Sequence, residues 1–191
     1  MLIPAVEDGI EKLLRATLPL PAEQGDISFE APSSTWSASV NRLTVNAYLF
    51  GIARSSQPPR VQERRQGPDG RTQRRFALPM VQLSYLVSAW AGSVRDEHAL
   101  LGDVLTRLLA HPVIPAEHVT AALDSSVQLS LGGDESTRPR EVWSGIGGHL
   151  KASFVLQVTV AADAYPWETA PTAVEGVEPA ISRLPGNSGR P

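Results

Sequence analysis

Few residues in this chain have the types and spacing that catalysis or metal binding requires. The 191 residues include four histidines and no cysteine, which excludes disulfides, thiolate metal sites and cysteine nucleophiles. The run from Asp96 to His98 is acidic and basic, but consecutive residues of a helix point in different directions. His111, His118 and His149 lack the paired spacing of a zinc-binding helix. The sequence therefore predicts no metal site and no cofactor.

Two further patterns superficially suggest an enzyme. The run Gly145-Ile-Gly-Gly148 is glycine-rich like a phosphate loop, but it precedes a predicted strand and no Gly-Lys-Ser/Thr follows it. A turn is the better interpretation. The serines near Trp36 and Tyr85 lack the Gly-x-Ser-x-Gly elbow of a hydrolase nucleophile. Of the function classes considered, an enzyme therefore has the least support, and no catalytic residue is assigned.

The arginines concentrate in one segment. Residues 54 to 75 contain seven arginines against Glu63 and Asp69, a local charge of +5 in a chain whose total is -3, so the remainder carries -8. Such segregation is typical of a subunit whose basic edge meets an acidic surface elsewhere. The segment opens on Pro58-Pro59, and Gly67-Pro-Asp-Gly70 supplies turn residues near its middle. We expect a long hairpin-like loop.

Three interpretations of this loop remain open: a solvated mobile loop, an interface with an acidic neighbour, and a nucleic-acid or other anion-binding module. The preference for arginine over lysine suits bidentate pairing with carboxylates. Only Phe76 offers an aromatic ring for base stacking, and the acidic remainder of the chain would repel phosphate. We therefore favour the protein interface over nucleic acid. Its candidate residues combine the arginines with two aromatic residues farther along: Arg60, Arg64, Arg65, Arg71, Arg74, Arg75, Tyr165 and Trp167.

Apolar periodicity predicts the elements that position these residues. Residues 3 to 16 have the spacing of an amphipathic helix. Residues 27 to 31 alternate as a short strand, and residues 43 to 53 are apolar on both faces, as in a central strand. Residues 81 to 90 form a strand that could pair antiparallel with residues 43 to 53.

The second half of the chain continues the alternation of helices and strands. Asp96 is the predicted N-cap of the strongest helix, whose buried stripe comprises Leu100, Leu101, Val104, Leu105, Leu108 and Leu109. His111-Pro112 ends it. A weaker helix runs from Pro115 through Ala122, followed by strands near residues 127 to 131 and 150 to 160.

Strands in hairpin order with helices between them predict an α+β fold, with a mainly antiparallel sheet and helices packed on one face. Residues 1 to 163 form this domain. Residues 164 to 191 contain five prolines, three glycines and few large apolar groups, which favours an extended C-terminal arm that orders only on a neighbouring subunit or a sheath protein.

Several strings carry a resemblance as an ordered set. They are Asp26-Ile-Ser-Phe-Glu-Ala-Pro32, Arg42-Leu-Thr-Val-Asn-Ala-Tyr-Leu-Phe-Gly-Ile52, Val81-Gln-Leu-Ser-Tyr-Leu-Val-Ser-Ala-Trp90, Asp96-Glu-His-Ala-Leu-Leu-Gly102, His111-Pro-Val-Ile-Pro115 and Val142-Trp-Ser-Gly-Ile-Gly-Gly148. Their order and spacing over residues 3 to 163 resemble the tail-terminator or tube-cap family of phage-tail-like contractile injection systems. The arm after residue 163 lies outside the resemblance.

The resemblance implies a structural ring subunit, a hexamer, that caps the inner tube and contacts the last sheath layer. Its partners are then further copies of the chain and the tube and sheath proteins. The N-terminus carries acids where a secretory signal has a basic region, and no apolar run has membrane-spanning length. We therefore expect no membrane contact and a cytoplasmic protein within an assembled particle, which the cell could later release.

Overall fold

The computed structural model describes residues 1 to 119, 123, 125 to 132 and 139 to 170. Within them the helices are α1 (Leu2–Thr17), α2 (Ser34–Ser39), α3 (Val94–Ala110) and α4 (Pro139–Gly145). The strands are β1 (Gly25–Ser28), β2 (Leu43–Arg54), β3 (Glu63–Gln66), β4 (Thr72–Arg75), β5 (Met80–Trp90), β6 (Gln128–Leu131), β7 (Ser153–Ala161) and β8 (Glu168–Thr169). The α+β class predicted from the sequence is confirmed.

The main sheet has five strands in the order β1-β2-β5-β7-β6. All neighbours are antiparallel except β1, which runs parallel to β2. Because a parallel pair needs a crossover, the chain between these strands leaves the sheet and forms α2. The predicted pairing of residues 43 to 53 with residues 81 to 90 is confirmed. The first strand begins earlier than predicted, at Gly25, and ends at Ser28.

The core lies between one face of this sheet and the long helices α1 and α3. Every second residue of β5, including Leu83, Tyr85 and Val87, faces Val6 and Ile10 of α1 in a single apolar cluster. Burying such side chains contributes about 1.5 to 3 kcal/mol each. The short helices α2 and α4 lie near the start of β2 and β7, where Trp36, Trp90 and Trp143 contact one another. The core therefore covers the first half of β2, where residues 44 to 47 are buried, whereas residues 52 to 54 at its end are exposed.

The start of α3 differs from the prediction. Ser93, not Asp96, is the N-cap, because the Ser93 hydroxyl accepts a hydrogen bond from the Asp96 backbone N–H at 3.2 Å and donates one to the Asp96 carboxylate at 2.7 Å. Asp96 is therefore the third helical residue, with its charge near the positive end of the helix dipole. The predicted stripe is also too wide, since Val104 and Leu108 are buried whereas Leu109 is 59% exposed.

Three smaller expectations concern the chain on either side of β6. Pro115 opens a turn that holds His118, and the segment is not helical as far as residue 119. Residues 120 to 122 and Gly133 lie outside the described residues. The glycine-rich run forms the end of α4 and a turn, as predicted. Gly147 has a φ of +66°, and a Cβ at Gly148 would lie 2.8 Å from the Pro32 carbonyl oxygen, so glycine is required there.

Candidate assembly surfaces

The arginine-rich segment forms a small second sheet beyond the end of β2. Strands β3 and β4 pair antiparallel, and β8 adds to β4 as a third strand. The turn between β3 and β4 is closed by a hydrogen bond from the Gly67 N–H to the Arg71 carbonyl at 2.8 Å, and Gly70 has a φ of +74°. The predicted hairpin is confirmed, but sequence patterns did not indicate that the chain after Asp163 supplies its third strand.

One face of this small sheet is turned inward. Alternation along paired strands places Glu63, Arg65, Gln73 and Arg75 on the same side. The Arg75 side chain is 1% exposed and donates hydrogen bonds to the Glu63 carboxylate at 2.5 Å and the Asp163 carboxylate at 3.1 Å. Arg65 Nε donates to the Gln73 side-chain oxygen at 3.0 Å. Both arginines are therefore used within the subunit.

The two aromatic candidates also contact this hairpin. The Trp167 ring lies under both guanidinium groups, with its centroid 4.2 Å from Arg65 Cζ and 4.6 Å from Arg75 Cζ. Tyr165 packs edge-on against Phe76, with ring centroids 5.8 Å apart. Such cation–π contacts contribute about 0.5 to 2 kcal/mol. Residues 164 to 170 thus pack against the β3–β4 hairpin of the same subunit.

The expectation that Arg75 lies at the surface is wrong, because its side chain is 1% exposed. Its guanidinium can be buried because Glu63 and Asp163 balance its charge and the Trp167 ring covers one side of it. Replacing Arg64, Arg65, Arg74 and Arg75 together by glutamate would place an acid beside Glu63 and Asp163. We therefore expect it to damage the small sheet as well as any interface.

The opposite face of the small sheet carries the arginines that remain at the surface. Arg64 and Arg74 are directly opposite each other across β3 and β4, and Glu168 of β8 is opposite Arg74. Arg71 stands at the turn, with its side chain 75% exposed and 3.9 Å from Asp69. Arg60 leads into β3 and forms an ion pair with Glu63 at 3.2 Å. The candidate set is thus divided between an internal cluster and an outward basic face.

A second charged surface was not predicted. A groove of about 610 Å³ follows the free edge of β1 between α1 and α2. Its lining includes three carboxylates, Glu7, Asp26 and Glu30, with Ser28, Phe29, Trp36 and Thr44 among the remaining residues. We call it the acidic groove. Glu7 comes from α1 and the other two acids from the string that starts at Asp26. Because these two segments meet only in the folded chain, no local pattern indicated the groove.

Two groups beside the acidic groove have shifted pKa values. Burial, followed by the charge of Asp8, raises the pKa of the Glu7 carboxyl. Burial, followed by the charge of Glu7, raises the pKa of Tyr85. The Tyr85 hydroxyl has no hydrogen-bond partner among the described residues, and neither has Oδ1 of the fully buried Asn46. Burial therefore disfavours the ionised form of Glu7 in the free subunit.

A cluster of tryptophans holds the same end of the sheet together. The Trp90 ring lies 5.2 Å from Trp36 and 6.3 Å from Trp143, centroid to centroid. The Lys151 ammonium sits 3.9 Å above Trp90 and forms an ion pair with Glu97. These contacts join both short helices and α3 to the sheet. We interpret the cluster as structural packing within the subunit.

The remaining candidates for chemistry are scattered. His98 and His149 are exposed on different elements, and His111 Nδ1 lies 2.8 Å from the Arg107 carbonyl oxygen at the end of α3. Among the described residues, no three histidine, aspartate or glutamate side chains form a group that could hold a metal ion. No helix in the described part of the chain is long and apolar enough to cross a membrane.

Comparison with known proteins identifies relatives of this fold. Residues 5 to 174 match the model of the Pvc16 N-terminal domain family. None of the proteins with curated functions is similar enough to the chain to count as a match.

Two similar solved structures belong to contractile particles. One is the sheath/tube terminator of PVC, an extracellular contractile injection system, in its extended state, with a TM-score of 0.70 and 18% identity over 98% of this chain and 66% of that one. The other is the tube-terminating cap of the anti-feeding prophage, with a TM-score of 0.65 and 16% identity over 95% of this chain and 62% of that one. The chain thus spans slightly under two thirds of their length.

Proposed function

Because the chain belongs to the Pvc16 N-terminal domain family, we propose that it is a structural subunit that caps the inner tube of a contractile injection system. In this proposal the subunits form a closed ring, a hexamer, which contacts the last sheath layer as well as the tube. The observation that carries the proposal is the match of the whole domain to a sheath/tube terminator and to a tube-terminating cap.

The surfaces of the domain are suited to assembly. Contacts between unlike faces generate rings when the rotation closes, and this subunit has an outward basic face beyond β2 and an acidic groove beside β1. Strand β2 of the five-stranded sheet runs from the groove to the segment that leads into the hairpin. A sheet that holds a basic face and an acidic groove far apart is suited to a subunit whose role is to contact its neighbours. We therefore propose a structural role, not a catalytic one.

Residues 164 to 191 are proposed to contribute an arm to the assembly. Their first part, through residue 170, lies on the subunit's own hairpin by way of β8 and Trp167. Contact with a neighbouring subunit or a sheath protein is therefore assigned to the residues after 170, which lie outside the described residues. The particle is proposed to assemble in the cytoplasm.

A second candidate is an anion- or nucleic-acid-binding module on the outward basic face. The feature in its favour is the cross-strand arginine pair Arg64 and Arg74, with Arg71 beside it. Against it, Arg65 and Arg75 are stacked on Trp167 and directed away from that face. Binding to DNA or RNA that falls steeply with salt would favour this candidate.

The proposed function is tested by purification from the native cell. A tagged full-length chain should recover the tube and sheath proteins, and electron microscopy should locate the tag at one end of each particle. A tagged Leu83→Ala variant, which lacks a core side chain, controls for nonspecific recovery of a destabilised protein. Recovery of neither tube nor sheath by the wild-type chain would contradict the proposal.

A further inference from the structure

The outward basic face and the acidic groove lie at opposite ends of one strand. Thr44, the second residue of β2, lines the groove, and Arg54 at its last position leads into the hairpin. The 12 residues of β2 span roughly 36 Å at about 3.3 Å per residue. A single subunit therefore cannot bring its own hairpin to its own groove.

The basic face is incompletely neutralised. Two like charges directly opposite each other destabilise an antiparallel pair, and Arg64 and Arg74 occupy such positions. Neither forms an ion pair among the described residues, and Arg64 is exposed whereas Arg74 is partly buried. The adjacent strand supplies one acid, Glu168. Carboxylates from outside the subunit would complete the pairing and could accept bidentate hydrogen bonds.

The acidic groove contains carboxylates that lack basic partners in the described part of the subunit. Asp26 is paired with Arg42 at 3.0 Å, whereas Glu7 and Glu30 have no ion pair among the described residues. The fully buried Asn46 amide donates to the carbonyl oxygens of Ser28 and Glu30, and its Oδ1 remains without a partner behind the groove wall. The groove volume of about 610 Å³ is sufficient for arginine side chains.

We propose that Arg64 and Arg74 of one subunit dock in the acidic groove of the next copy, where Glu7 and Glu30 receive their charge. The occupant is a second copy because the same chain supplies both halves of the complementary pair, at opposite ends of one rigid strand. The contact is head-to-tail, so each subunit uses both surfaces once and the chain of contacts can close. This inference rests on the proposed ring and names its subunit interface.

The first test is a disulfide between the two surfaces. The chain has no cysteine, so Arg64→Cys and Glu30→Cys can be introduced together without a background. Because the two positions lie far apart within one subunit, a disulfide between them must join two copies, with Cα atoms within about 7 Å. Mild oxidation of the full-length double variant should give a ladder of covalent oligomers that ends at the ring.

Two controls accompany this experiment. Either single variant should stop at a dimer, and Arg64→Cys combined with Leu109→Cys, an exposed position on α3, should give no ladder. The inference would be overturned if the control double variant gave the same ladder as the Arg64→Cys, Glu30→Cys variant. It would also be overturned if neither double variant gave a ladder.

The second test exchanges charges. Arg64→Glu leaves an opposite-charge pair with Arg74 in the hairpin, which should keep the hairpin folded. It should weaken self-association, measured by analytical ultracentrifugation, by about tenfold. Glu30→Arg should do the same, and the double variant should recover the wild-type dissociation constant. Arg95→Glu makes the same charge change at an exposed position and should have no effect.

The outcomes separate this inference from the proposed function. A wild-type ring that caps tubes and is unaffected by Arg64→Glu overturns the interface and leaves the function intact. If Arg64→Glu loses tube or sheath binding but still self-associates, the basic face contacts another protein and the proposed interface is overturned. A wild-type chain that is monomeric would overturn the interface as well. If each single charge variant weakens self-association and the double variant restores it, but the chain is never found at tube ends, the interface is supported and the proposed function is contradicted.

Discussion

The five-stranded sheet and the three-stranded sheet have no strand in common and are stabilised by different interactions. In the large sheet, fully buried aliphatic and aromatic side chains pack against α1 and α3. In the small sheet, the inward face consists of Arg75, its two carboxylate partners and the Trp167 ring. Apolar burial is insensitive to pH and salt, whereas ion pairs are not. The difference teaches that the hairpin can be altered without loss of the domain.

The largest expected effect is on the large sheet. Leu83→Ala removes a fully buried side chain from the middle of β5 and should lower the free energy of unfolding by about 2 to 5 kcal/mol. Thermal unfolding should then shift downward by roughly 5 to 15 °C. The matched control is Leu109→Ala on α3, where the side chain is exposed and the shift should be near zero. Equal shifts for the two variants would contradict the described core.

The next effect is on the small sheet. Arg75→Met leaves Glu63 and Asp163 without their shared partner, but both carboxylates retain contact with water, so we expect a loss of only about 1 to 2 kcal/mol. Hydrogen exchange should speed up across β3 and β4 and remain slow in β5. Arg64→Met on the outward face is the control. Because it removes the like-charge contact with Arg74, it should neither lower the free energy of unfolding nor speed up hydrogen exchange. Faster exchange throughout β5 would mean that the two sheets unfold together.

These two regions also differ in how far the sequence predicted them. Residues 81 to 90 were recognised because alternation along a half-buried strand is a local signal. The partners of Arg75 could not be recognised, because Asp163 is 88 positions away and Trp167 lies beyond a predicted domain boundary. Side chains that meet through tertiary packing leave no period in the sequence. The acidic groove was missed for the same reason.

The N-cap of α3 illustrates a smaller limit. Ser93 and Asp96 are both good capping residues, and a choice between them depends on where the chain leaves β5. Residues 96 to 98 do lie in the first turns of α3, as predicted, but the helix begins about one turn earlier, after Ser93. Element type was thus predictable from pattern, whereas boundaries required the tertiary structure.

A pair of truncations would sharpen the comparison from the C-terminal side. A chain that ends at Asp163 lacks β8, Tyr165 and Trp167, whereas a chain that ends at residue 170 retains them. The shorter chain should lose about 1 kcal/mol of its free energy of unfolding, so that its melting temperature falls by a few degrees. Protease cleavage of this chain should be concentrated in residues 60 to 75. The longer chain should match the full-length protein. Equal protease resistance of both truncations would show that β8 does not stabilise the hairpin.

The smallest expected effect concerns Glu7. Its folded pKa is raised above the ordinary value of 4.5, so its ionised form destabilises the fold. The cost is absent below the unfolded pKa and fully present above the folded one. Glu7→Gln should therefore raise the melting temperature slightly at pH 7, and this gain should vanish at pH values below 4.5. A gain that is the same at pH 7 and at pH 4 would show that ionisation is not its cause.

The central claim is that this chain terminates the tube of a contractile particle. Cryo-electron microscopy of particles purified from the native cell tests it most directly, with the chain labelled by a compact C-terminal fusion. We expect one ring of density at a single end of the tube, into which this domain fits, and we expect that ring to be absent from particles made without the chain. Unchanged tube ends in those particles, or labels distributed along the shaft, would contradict it.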